Sequence, residues 1–148
     1  MTLTFFAIGT PKGQPRGRAV RRGAHAGIYN PGTADNWKSS VRAALKDQLK
    51  TMGTPKLVLT GPLRVTVAAF FPRPKSHYYT GKRCHEIRPD APEYHTAKPD
   101  RDNLDKAILD ALTNAGIWPD DSIVCAGGIT KRYADSNQPG ALIEITKL

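Results

Sequence analysis

Hydrophobic positions along the chain change period several times, and each change marks an element. Leu3 to Gly9 reads "LTFFAIG", a short β-rich run that predicts a strand. The following "TPKGQPRGRAVRRGAHAG" is dense in Gly, Pro and Arg. It is incompatible with a regular helix and predicts a loop or twisted hairpin ending near "GIYNPG". From Trp37, the apolar residues Trp37, Val41, Ala44, Leu45 and Leu49 keep a helical period up to Met52 and Gly53. Arg42, Lys46 and Lys50 fall on the other faces, and Thr33 or Asp35 is the expected cap. In "GPLRVTVAAFFPRP", Leu63, Val65, Val67, Ala69 and Phe71 alternate with Arg64, Thr66 and Ala68, a strand halted by Pro72 and Pro74.

Residues 72–99 hold prolines and bases without a period, which predicts a long, exposed, basic loop. Loops of that length are uncommon in compact domains unless they are functional or disordered. The helical period returns with Leu104, Ala107, Ile108, Ala111, Leu112 and Ala115 in one stripe, closed by Gly116. "SIVCAGGITKRYA" predicts a strand with a Gly-Gly bend, "QPG" a turn, and "ALIEITKL" a last strand. This order implies an α/β (α+β) fold: a small mixed sheet with two helices packed on it, in a single domain over residues 1–148.

Composition narrows the class. Apolar residues are 39% and charged residues 24% of 148, which suits a globular chain and excludes full disorder. No apolar run approaches the ~20 residues that span a bilayer. The N-terminus has no signal-peptide pattern, so a cytoplasmic location is expected. Cys84 and Cys125 lack CxxC spacing and are expected to be free thiols in a reducing compartment. A formal charge of +9 points to a polyanionic partner, nucleic acid first and an anionic membrane surface second.

The distribution of that charge says more. Residues 1–34 hold no acid but carry Lys12, Arg16, Arg18, Arg21 and Arg22. Residues 73–88 add Arg73, Lys75, Lys82, Arg83 and Arg88. Against this, residues 100–121 hold Asp100, Asp102, Asp105, Asp110, Asp120 and Asp121 with only Arg101 and Lys106, a local −4 that leaves +13 elsewhere.

Helix geometry organises part of this acidic island. Pro99 favours a helix start, so Asp100 falls at or ahead of the N-terminus and Asp102 in the first turn. Lys106 lies four residues beyond Asp102 and Asp110 four beyond Lys106, on one face. The turn "IWPDD" can return Asp120 or Asp121 to the start of the helix if it runs back along that face. Converging carboxylates suit Mg²⁺, a hard cation with oxygen ligands. In basic surroundings such a site suits metal-assisted attack on a phosphodiester, with Lys106 offsetting charge on the phosphate. The plain alternative is also open. Asp100 caps the helix, Asp102 and Asp110 pair with Lys106 on the surface, and "PDD" is a turn.

The string "KPDRDNLDKAILDALTNAGIWPDDSIV" resembles the core motif of the RusA-type Holliday junction resolvases: a D-x-DN-xx-K helix, D-A-L, a glycine turn, and a D-D pair before a strand. The opening "IGTPKGQPR" is similar, more loosely, to the start of phage-type members. The resemblance implies a homodimeric, Mg²⁺-dependent endonuclease that nicks opposed strands of a four-way junction in DNA recombination and repair, with Mn²⁺ as a substitute ion. It also implies a bacterial host or a phage origin. The family's metal-binding aspartates fall on Asp100, Asp102 and Asp121, with Asp120 the adjacent acid, and its catalytic lysine on Lys106. Pro99 departs from the base often found before the first aspartate, with Lys98 one step earlier.

For DNA contacts the candidates are Lys12, Arg16, Arg18, Arg21, Arg22, Lys75, Lys82, Arg83, Lys98 and Arg101, with Tyr78 and Tyr79 able to stack on bases. His77, Cys84, His85 and His95 fit no zinc spacing. Trp37 and Trp118 are expected in the core or an interface. The rival functions are a non-catalytic basic nucleic-acid-binding protein and a D-x-D nucleotide-sugar transferase. The short chain and the missing nucleotide-binding βαβ unit count against the transferase.

Overall fold

A computed structural model describes residues 1–15, 18–23, 25–29, 32–135 and 138–148, and of residues 18–22 and 25–29 the main chain. The strands are β1 (Thr2–Ile8), β2 (Arg18–Arg22), β3 (His25–Tyr29), β4 (Leu63–Phe71), β5 (Val124–Tyr133) and β6 (Gly140–Lys147). The helices are α1 (Asp35–Thr51) and α2 (Arg101–Asn114), joined by short 3₁₀ turns at Lys75–His77, Gly81–Arg83 and Asp121–Ile123. The main sheet runs β1–β6–β4–β5, and β2 and β3 form a separate antiparallel hairpin. Pairing is antiparallel except between β4 and β5, so the sheet is mixed.

Alternation turns one face of the sheet inward. Leu3, Phe5 and Ala7 of β1, Leu63, Val65, Val67, Ala69 and Phe71 of β4, and Ala141, Ile143 and Ile145 of β6 are buried. α1 covers this face with Trp37, Val41, Leu45 and Leu49, and α2 with Leu104, Ala107, Ile108, Ala111 and Leu112. All these side chains join one hydrophobic cluster. α1 lies against β1 and α2, and α2 also reaches β5. The outer face stays open, with Phe6, Ile8 and Leu142 exposed. No described helix is long and apolar enough to cross a membrane.

One expectation is corrected. The helix α1 takes Ala34 as its N-cap, and neither Thr33 nor Asp35 caps it with a side chain. β4, α2 and β5 form a βαβ unit, with parallel neighbouring strands. Its first strand leaves through "PRPKSHYY" rather than a glycine-rich phosphate loop, so the nucleotide-binding form of the unit is not built.

Residues 72–99 form the exposed loop expected, with no residue fully buried, and the loop is pinned to the sheet at its base. Tyr79 N–H donates to Glu86 O at 3.1 Å and Arg88 N–H to His77 O at 2.8 Å, so residues 77–88 close on themselves. At the base, the Arg73 side chain is only 4% exposed. It donates to the carbonyls of Ala134 (3.1 Å) and Pro92 (2.7 Å) and to Asp135 (3.0 Å), and it lies over the Tyr133 ring. His95 stacks on Phe71 at 3.9 Å. Burial holds the His95 imidazole below its ordinary pKa, and the nearby Lys131 charge acts in the same direction. The excursion is therefore packed through polar side chains, which leave no hydrophobic period to read.

Candidate active site

The head of α2 is built by two segments that meet there. The chain from β4 arrives through Lys98 and Pro99, and the chain from β1 lays Lys12, Gly13 and Gln14 across the first helical turn. Gln14 N–H donates to Asn103 O at 2.9 Å. A Cβ on Gly13 would sit 3.1 Å from the Cβ atoms of both Asn103 and Pro99, so only glycine lets the strap lie this close without displacing them. An open cleft of about 540 Å³ results, lined by Lys12, Gly13, Gln14, Thr33, Lys98, Pro99, Asp100 and Asn103.

The acids on this helix are not spent on the duties that the plain alternative gave them. Asp100 occupies the N-cap position with an extended backbone, but its side chain makes no capping bond. Neither Asp102 nor Asp110 pairs with Lys106 among the described residues. Asp110 instead takes the ammonium of Lys38, from α1, at 2.7 Å, which couples the two helices. Asp100, Asp102 and Lys106 are thus left without an ion pair or cap bond on the first two turns of α2.

The second acidic pair comes from the loop after α2. Ile117 and Trp118 are buried there, with Trp118 Nε1 donating to Thr113 Oγ1 at 2.7 Å and Leu59 N–H to Ile117 O at 2.7 Å. This anchoring fixes where Asp120 and Asp121 emerge. Asp120 accepts from Ser122 N–H at 2.8 Å, and that bond holds its carboxyl below the usual range. Asp121 opens the 3₁₀ turn and neighbours Asp105, one turn into α2 beyond Asp102. Half-burial raises the Asp105 pKa; Arg101 opposes the rise and the Asp121 charge adds to it.

Asp105 is a residue that the sequence reading left without a role. It lies at i+3 from Asp102, so its face was visible in the sequence; its loss of solvent was not. The structure sets Asp121 close enough to Asp105 for their charges to act on each other. Among the described residues, no three His, Cys, Asp or Glu side chains gather closely enough to hold a metal ion by themselves. Mg²⁺ seldom asks for such a cage: it takes one or two carboxylates and draws its other ligands from water and substrate phosphates. A row of free carboxylates fits that partial shell; it does not make a closed site.

The basic candidates divide. Lys12 and Lys98 line the cleft beside Asp100. Arg101 heads α2 beside Asp105. Lys75 and Lys82 belong to the exposed 3₁₀ turns, remote in sequence from the cleft. Arg83 is engaged by Glu86 at 2.7 Å and lies 3.9 Å over the Tyr79 ring, so that face of Tyr79 is already covered. Arg16 lies outside the described residues, as do the side chains of Arg18, Arg21 and Arg22, whose main chain forms β2. Cys84 and Cys125 are free and exposed, and Trp37 and Trp118 are core residues.

Two comparisons with known proteins bear on the site. The family described as endodeoxyribonuclease RusA matches residues 9–146, nearly the whole chain. The chain is also 29% identical over 146 residues to the uncharacterized protein YqaN of Bacillus subtilis (strain 168), covering 95% of this chain and 94% of that protein.

Proposed function

The chain belongs to the RusA endodeoxyribonuclease family, and on that premise we propose that it resolves four-way DNA junctions by paired nicks in opposed strands. The reading includes a homodimer, because a junction with approximate two-fold symmetry is matched by two equivalent active sites. It includes a cytoplasmic location and a part in DNA recombination and repair. The observation that carries it is the head of α2: among the described residues, Asp100, Asp102 and Lys106 stand free of caps and ion pairs inside a chain of net +9.

Mg²⁺ is the proposed ion, with Mn²⁺ able to replace it. Asp100, Asp102 and Asp121 are the residues proposed to hold it, not as a closed cluster but with water and substrate phosphates completing the shell, and Asp120 is disfavoured because its carboxylate already serves Ser122. Once bound, such an ion supplies an activated water and offsets negative charge on the phosphate. The chain's own groups do the rest. Lys12 and Lys98 hold backbone phosphates beside Asp100. The Lys106 ammonium stabilises charge developing on a non-bridging phosphate oxygen.

The test compares the protein with Asp102→Asn on a labelled four-way junction and on linear duplex, in Mg²⁺ and in EDTA. Paired nicks on the junction are expected, abolished by EDTA and reduced roughly a hundredfold or more by the substitution. Binding should persist or tighten in the variant, since a negative charge facing phosphate is removed. Equal cutting of duplex would sink the junction claim, and binding without cutting would leave a DNA-binding protein.

A further inference from the structure

Asp100 has no side-chain cap bond, so its carboxylate stands where the main chain puts it. On the helix side, Asp100 O accepts from Leu104 N–H at 3.1 Å. On the other side the chain arrives from the long exposed excursion, and its anchor there is on β5. Lys131 takes the arriving segment at two points. Its carbonyl accepts from His95 N–H at 3.0 Å, and its ammonium donates to Ala97 O at 2.6 Å. With Tyr133 N–H donating to Glu93 O at 2.9 Å, residues 93–95 follow the edge of β5 before the chain turns off to Lys98 and Asp100. Among the described residues, the Ala97 bond is the last that the chain makes before Asp100. Lys131 is half-buried and has no carboxylate partner among the described residues. An ammonium given to a carbonyl makes a charge-assisted bond, stronger than a neutral one. β5 also begins at Val124, directly after the Asp121–Ile123 turn. One strand therefore starts from Asp121 and, near its end, holds the approach to Asp100.

We propose that Lys131 is a positioning residue for the head of α2: by holding Ala97 O it fixes the three residues that lead into Asp100, and so sets where Asp100 and Lys98 stand. The inference rests on the endonuclease reading above and adds to it a residue that acts through the main chain rather than on phosphate. At a reacting centre a misplacement of about 1 Å can cost on the order of a hundredfold in rate. Without the Lys131 bond, the Gly13 strap against Pro99 is the remaining neighbour that restrains this approach. The lysine stem spans from the sheet to the carbonyl, and its charge supplies the strength of the bond. An arginine keeps both the reach and the charge; a methionine keeps the stem alone.

The experiment compares the wild-type protein with Lys131→Met and Lys131→Arg. Backbone order parameters are measured by NMR on the metal-free protein without DNA. At the Lys98 and Asp100 amides they should lie near ~0.85 in the wild type and fall below about 0.6 in Lys131→Met, with β4 and β6 unchanged. Single-turnover cutting of a four-way junction in Mg²⁺ should slow roughly tenfold or more in Lys131→Met, and Lys131→Arg should recover most of the rate. Junction affinity in EDTA, and its slope against salt concentration, should not change. Wild-type order parameters already below about 0.6 at the two amides overturn the inference whether or not a variant folds. Unchanged order parameters or a full cutting rate in Lys131→Met overturn it as well. A salt slope reduced by about one would make Lys131 a phosphate contact, and that too overturns it. A wild-type protein that cuts no junction removes the endonuclease reading and the consequence for rate drawn from it; the order parameters then still decide whether Lys131 holds the segment.

Discussion

Replacing Arg73 by alanine should detach the 72–99 excursion from the sheet. The guanidinium is 4% exposed and reaches Ala134 O, Pro92 O and Asp135 at 3.1, 2.7 and 3.0 Å. Ala134 is buried, so its carbonyl would be left enclosed at a cost of about 1–3 kcal/mol. Pro92 is exposed, and its carbonyl can turn to water instead. The Asp135 side chain is 86% exposed, so that pair adds at most about 1 kcal/mol. Removing the buried stem costs a further ~2 kcal/mol at about 0.8 per CH₂. The sum is about 3–6 kcal/mol, a large share of the roughly 5–15 kcal/mol that holds a domain together. For a chain of this size it corresponds to a Tm lowered by ~10–20 °C. Urea unfolding followed by circular dichroism gives the total. Amide exchange at Tyr133 and His95, which donate to Glu93 O and Lys131 O across the dock, gives the location. Arg73→Lys should recover less than half, because an ammonium cannot serve these acceptors as a planar fork does. A loss under about 1 kcal/mol, or unchanged protection of those two amides, would refute the assignment of Arg73 as the clamp.

Two further outcomes follow from the same structure. A Cβ on Gly127 would fall 1.7 Å from Val65 O at a φ of 128°, whereas one on Gly128 would meet nothing within 4 Å. Gly127→Ala should therefore cost at least ~3 kcal/mol and Gly128→Ala under ~1 kcal/mol in the same unfolding assay. Folding lowers the His95 pKa below its ordinary value of 6.5, so it favours the neutral ring. The stability that this contributes is present above pH 6.5 and is lost as pH falls through the lowered value. His95→Phe keeps the stack on Phe71 and cannot titrate, so its stability should vary less between about pH 5 and 7 than that of the parent. His77, Tyr133, Lys131 and Arg73 face this pocket and stay, so the flattening will be partial.

What the chain reveals on its own follows from what burial imprints on sequence. The alternation in β4 and the stripe of α2 are direct traces of a half-buried strand and helix, and both were readable to within a residue or two. Strand partners leave no such trace. That β6 inserts between β1 and β4, and that β4 and β5 run parallel, comes from the crossover through α2, which alternation does not encode. The acidic island was legible as a motif. Its wiring was not: Lys38 answers Asp110 across 72 residues, and Asp121 comes to rest beside Asp105. Arg73 read as one more base in a basic loop, although burial and two carbonyls make it structural. Polar packing of that kind has no period, so residues 72–99 looked unstructured.

The pairing of β1 with β6 also sets a timetable. Thr2 lies opposite Thr146, and Lys147 N–H reaches Met1 O at 3.3 Å, so β1 pairs with a strand that is made after β4, α2 and β5. Strand β1 has no other partner in the sheet. Until residues 140–147 leave the exit tunnel, β4 and β5 are the only strands of the main sheet able to pair, and Leu3, Phe5 and Ala7 have no ladder to join. At synthesis rates of about 5–20 residues per second the nascent chain spends several seconds in that state. The half that bears Asp100, Asp102 and Lys106 is therefore translated well before the sheet beneath it can close. Closure of the sheet beneath α2 has to wait for β6, and a chain cut short before residue 140 would leave β1 without a partner.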